Sequence, residues 1–276
     1  MKLKNLIYPL IVLLLASGCK KEAKIEPDKF DPEYHLPQGN HPYDTKIMNF
    51  YRDYGSYILY KFSEKDFRWN VTNNISFVAD QGDENYIASA LDALDTYLFK
   101  YYSKDFLQKA LPYKILLASR IRALDQDNNP VETPVNAAST SSQLTFGRAG
   151  SSLAGLTAEE LKGMKKDLHR EFWNQAVGFG KIPLPPVFVV ATKYEDVASW
   201  NSKNYGVFLD PDTYSATVYS DFIAYINMIV SNTPEELEQS QFLPQNDPNG
   251  KFKFKYNAIV KYYKETYGVD LQAIDK

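Results

Sequence analysis

The chain holds one cysteine, Cys19, and only three histidines, His35, His41 and His169, among 276 residues. A single cysteine excludes an intramolecular disulfide, so stability has to come from burial alone. No Gly-x-Ser-x-Gly elbow, phosphate-cradling glycine loop or internal repeat is present, and the lone cysteine is not placed for nucleophilic catalysis. Excess positive charge is also missing: 31 basic residues face 34 acidic ones, which argues against a nucleic-acid partner. Tryptophan is scarce, with Trp69, Trp173 and Trp200, whereas 21 tyrosines and 16 phenylalanines are available for core packing or for a binding surface.

The one long apolar run lies at the start. Lys2 and Lys4 precede the apolar stretch Leu6 to Leu15, and Ala16-Ser17-Gly18-Cys19 follows as a small-residue cleavage site ending in cysteine. This pattern predicts a lipoprotein signal peptide over 1–18, with Cys19 lipidated and the mature chain anchored in a cell-envelope membrane, outer-membrane placement being expected. Removing Lys2 and Lys4 with the signal takes the basic count from 31 to 29 against 34 acids, a net charge of −5. Residues 19–43 read as a flexible tether punctuated by Pro27, Pro32, Pro37 and Pro42. His35 and His41 lie in it without a third ligand type nearby.

A folded body is expected over 44–276 as a single domain of α+β class. Periodicity predicts helices over 45–62 and 84–103, a strand around 75–79 and a buried strand over 113–121. A polar loop spans 125–139, and 143–147 has edge-strand character. Thr157 and Glu160 form a capping box that opens a long helix to about Val177, closed by Gly178, Gly180 and Pro183. The remainder is mainly helical: 214–230, 233–237 and 255–267. Asn70 and Asn74 read as turn residues, and the acids Asp66, Glu159 and Glu160 as chance pairs in a chain rich in acids.

The long helix carries Leu168-His169-Arg170-Glu171-Phe172-Trp173-Asn174-Gln175, and later come Tyr205-Gly206-Val207-Phe208 and Tyr219-Ser220-Asp221-Phe222. These segments resemble the active helix, a glycine-led segment and a Glu-Asp-Phe segment of a family of zinc-binding metallopeptidase lipoproteins, described as substrate-import-associated zinc metallohydrolases. The resemblance implies a zincin-like fold with a small sheet, a long central helix and a mainly helical C-terminal part. It also implies an accessory role beside a TonB-dependent, starch-utilisation-type transporter and its surface lipoprotein.

Zinc hydrolases of this kind need histidines at i and i+4 with a glutamate between them. Matched residue by residue, the ligand positions hold Arg170, Asn174 and Ser220, and only Glu171, the general-base position, keeps its type. Arg170 is expected to fill the metal's space and pair with Glu171 or Asp221. His169 lies about 100° around the helix from the ligand position. The expectation is therefore a degenerate, inactive site without cofactor, in which Glu171 is a relic base and His169, Trp173 and Asp221 line the cleft. Alternatives stay open: an active hydrolase using zinc or Glu171 alone, a Ca²⁺ or Mg²⁺ site from Glu171, Asp221 and Asp210 or Asp212, and a glycan- or peptide-binding lipoprotein presenting its tryptophans.

Overall fold

The computed structural model describes residues 32–68 and 77–274. The signal peptide, Cys19, most of the expected tether, Trp69, Asn70 and Asn74 lie outside these residues. One compact unit runs from Leu36 to Lys276. The last residues of the expected tether thus belong to the body. Gln38 accepts from the backbone amides of Tyr60 and Lys61 at 2.8 and 3.1 Å, and His41 lies 2.6 Å from Glu84 and stacks on Tyr43.

The first helix among the described residues, α1 (Pro42–Tyr54), starts earlier than expected because Pro42 sits at its first turn, where no amide is needed. It stops at Gly55, whose φ of 69° is the left-handed cap glycine accepts most readily. Ile58 and Leu59, read as the end of that helix, belong instead to strand β1 (Tyr57–Leu59), which is buried throughout. After α2 (Glu64–Phe67) come β2 (Phe77–Gln81), α3 (Ile87–Tyr97), a 3₁₀ turn at Phe99–Tyr101 and α4 (Lys104–Ala110). The expected helix 84–103 is therefore shorter, and a capped second helix follows it.

Strand β3 (Lys114–Leu124) is the spine of a six-stranded mixed sheet. Its apolar first half pairs in parallel with β1 and with β6 (Gln143–Phe146), and its second half pairs antiparallel with β2 and β4 (Pro130–Val135). Two expectations fail here. The stretch 125–139 is a loop only at its start; it then forms β4 and β5 (Ala137–Ser139). Strand β6 is not an edge, because β5 pairs on its outer side, and all four of its residues are buried.

Behind the sheet lies α5 (Ala158–Gly178), followed by α6 (Pro186–Val190), α7 (Ser202–Tyr205), α8 (Val218–Ile229), α9 (Pro234–Glu238) and α10 (Lys251–Tyr267). Aromatic residues fill the space between them: Trp173 packs on Phe106, Phe222 and Tyr263, all fully buried. Burying such side chains contributes roughly 1.5–3 kcal/mol each and offsets the lack of cross-links. Among the described residues no helix is long and apolar enough to cross a membrane.

Candidate functional site

The N-terminus of α5 is fixed by the expected capping box. Thr157 Oγ1 accepts from the Glu160 amide at 3.2 Å, and the Glu160 carboxylate accepts from the Thr157 amide at 2.8 Å. Beyond it the helix divides into two faces. Met164, Leu168, Phe172, Trp173 and Ala176 are fully buried in the core. Asp167, Arg170, Glu171 and Asn174 follow one another at i, i+3, i+4 and i+7, and so form a single polar stripe.

That stripe lies against β5, and its side chains are consumed by one another and by the strand. Arg170 Nη1 is 3.1 Å from Asp167 Oδ1, and its Nε is 3.2 Å from Glu171 Oε1. The other Glu171 oxygen accepts from Ser139 Oγ at 2.6 Å, and Ser139 Oγ accepts from Asn174 Nδ2 at 3.1 Å. Tyr219 of α8 closes the row, its hydroxyl lying against both carbonyl oxygens of Asn174, 2.6 Å from the main-chain one. Burial first, and the Glu171 charge second, push the Tyr219 phenol up to about 12. Glycine at 178 leaves room for this ring, since a Cβ there would overlap the hydroxyl. At the other end Asn136 Nδ2 donates to Asp167 Oδ2 at 2.9 Å, and Arg148 Nε donates to Asn136 Oδ1 at 2.8 Å.

The expected site residues distribute differently. Arg170, Glu171 and Asn174 come together, and Arg170 pairs with Glu171 as foreseen. It does not pair with Asp221, which is fully buried elsewhere: its carboxylate meets Lys255 Nζ at 2.9 Å, the Tyr194 hydroxyl at 2.7 Å and the Phe208 amide at 2.8 Å. Ser220 is exposed and spent on the α8 cap, its Oγ accepting from the Thr217 amide at 2.9 Å, so the residue α8 delivers to the stripe is Tyr219. His169 and Trp173 face the core rather than a cleft. His169 Nδ1 is 2.7 Å from the Tyr102 hydroxyl, and burial lowers its pKa to about 3. Asp210 closes its own exposed turn on Thr213, so it joins neither Glu171 nor Asp221 in a carboxylate site.

Asn136, Asp167, Ser139 and Tyr219 escape the sequence reading. Asp167 alone left a signal, three residues before Arg170 on the same face. Ser139 lay in a stretch that reads as loop, and Tyr219 differs from the matched Ser220 by one position, which turns a helical side chain by about 100°.

Comparison with known structures supports the architecture. The crystal structure of a putative zinc-binding metallo-peptidase from Bacteroides caccae aligns with 83% of this chain and 86% of its own, with a TM-score of 0.50 and 14% sequence identity. The chain has a metallopeptidase-like fold. No protein-family model matches it, and no curated protein sequence does. The zinc in that neighbour's description invites a test against the donor set. It does not fit here: a guanidinium and a primary amide are poor company for a dication, and both Glu171 oxygens are engaged. Among the described residues no three His, Cys, Asp or Glu side chains gather as a metal site.

Proposed function

We propose that this chain is a lipid-anchored cell-envelope protein, held through Cys19, that keeps a zincin-like scaffold without metal-dependent hydrolysis and serves as an accessory to a TonB-dependent nutrient-uptake system. The observation that carries the catalytic half of this reading is the closed polar row Asp167–Arg170–Glu171–Ser139–Asn174–Tyr219. A metal-assisted hydrolase needs an open coordination position and a base with a lone pair aimed at the attacking water. In this row Glu171 has one oxygen on a guanidinium and the other on a hydroxyl. The lipobox supports the location, and the resemblance of the α5 and α8 segments to import-associated metallohydrolases supports the setting.

Metal analysis of the purified mature protein tests it. Well under one equivalent of zinc per chain is expected, no peptide hydrolysis on addition of zinc, and a melting temperature unchanged by chelator. One zinc per chain, lost together with stability on chelation, overturns the proposal.

A further inference from the structure

A cavity of about 530 Å³ opens between the segment 190–205 and the start of α10. Its most conspicuous wall is Trp200, 83% exposed, a large aromatic surface with no core to fill. Asp196 and Asn204 line the same cavity, both exposed, and among the described residues neither side chain is held by another. Lys193 and Lys251 complete a mixed-charge rim that favours neither a metal cation nor a polyanion.

The walls are built, not draped. Asn201 accepts from the Ala198 amide at 2.7 Å and donates to the Asp196 carbonyl at 3.1 Å, which fixes the turn carrying Trp200. One buried ion pair, Asp221–Lys255, ties Tyr194, Gly206 and Phe208, which neighbour the lining residues in the chain, to α8 and α10. Asp221 takes the Tyr194 hydroxyl and the Phe208 amide, and Lys255 donates to the Gly206 carbonyl at 3.0 Å. Both ions have wholly buried side chains. Removing two charges from water costs several kcal/mol per ion, so retaining this pair makes sense as a device that pins the loops in one geometry.

We propose that this cavity is an oligosaccharide-binding site with Trp200 as its platform. A pyranose ring offers an apolar C–H face that lies flat on an indole, and hydroxyls at its rim that both donate and accept. An unengaged carboxylate and an unengaged amide beside an exposed Trp complement those two faces. The volume falls in the ordinary range for small-ligand sites. A peptide that docks by adding a strand is not served here, because no lining residue belongs to a strand. The site is separate from the α5 row, and it deepens the accessory reading by giving it a ligand class.

Calorimetry and indole fluorescence on the mature chain, with the neutral sugars maltohexaose, cellohexaose, xylohexaose and chitohexaose as probes and hexa-alanine as control, test the proposal. At least one sugar should bind and shift the tryptophan emission. Trp200→Ala should weaken that binding at least about tenfold, with Trp200→Phe retaining part of it and Asp196→Asn weakening it further, while melting temperatures stay constant. No binding to any of the sugars, binding unchanged in Trp200→Ala, or binding of the peptide alone overturns it. Zinc measured on the same sample keeps the two readings distinct: a zinc-loaded chain that still binds sugar through Trp200 would sink the non-catalytic reading and leave this one standing.

Discussion

At the level of single residues, His169 shows how position on a helix decides chemistry. It is the one histidine on the long helix, yet it faces the core. Trp173 Nε1 donates to the Tyr102 oxygen at 2.9 Å, so the single Tyr102 proton goes to His169 Nδ1, 2.7 Å away. The ring is then neutral with its own proton on Nε2, in keeping with a pKa that burial lowers to about 3. In the unfolded chain the same ring titrates near 6.5. Between these values the unfolded state binds a proton that the folded state refuses. Its contribution to stability is therefore fully present above about pH 6.5 and is lost as pH falls toward 3, by at most about 1.4 kcal/mol per pH unit. His169→Gln keeps an acceptor for Tyr102 and cannot titrate. Urea unfolding at pH 7 and pH 5 should show the natural chain losing more stability than the variant over that interval, with carboxylate effects common to both. Equal losses would mean that His169 is protonated in the fold.

Elements were legible where their signals are local. The capping boxes at Thr157 and Thr233 place two helix starts to the residue, because Ser/Thr and Glu three apart serve each other's amides without outside help. Strands β4 and β5 were not legible: Pro130, Pro134 and Asn136 are turn formers, and what overrides them is antiparallel pairing with their chain neighbours β3 and β6 across the short turns 125–129 and 140–142, which composition alone does not report. Whether β6 is edge or interior was hidden for the same reason. Gly206 is a case where the element depends on glycine in two ways. Its φ is 58°, and a Cβ there would stand 2.6 Å from the Lys251 carbonyl carbon and the Phe252 nitrogen, backbone atoms that cannot swing aside. Its carbonyl also accepts from the Tyr225 hydroxyl and Lys255. Gly206→Ala is expected to cost roughly 2 kcal/mol or more, read as a lower urea midpoint, whereas Gly163→Ala, in open space on α5, should be neutral or mildly stabilising. Comparable effects at the two positions would contradict the packing of α7 against the start of α10.

For the whole molecule, the candidate site was legible as far as one helix reaches and no further. Arg170, Glu171 and Asn174 could be read together because their segment resembles an active helix whose ligand and base positions share one face, whereas their partners Ser139 and Tyr219 arrive from a strand and a helix whose placement only the fold determines. The correction from Ser220 to Tyr219 changes how the scaffold's ancestry should be tested. If α5 and α8 stand as they do in a zinc metallopeptidase, histidines at 170 and 174 converge with a carboxylate supplied from position 219, and Glu171, released from its guanidinium, faces the metal. The variant Arg170→His/Asn174→His/Tyr219→Glu is therefore expected to bind about one equivalent of zinc that chelator removes with a fall in melting temperature. The same histidine pair with Ser220→Glu should hold zinc far more weakly, because a side chain at that position points to the α8 cap. Should the first variant fold, by circular dichroism and cooperative melting, yet take up no more zinc than the natural chain, then the likeness to metallopeptidases would extend to the path of the chain but not to the placement of a metal site, and a lost zinc centre would no longer explain the polar row.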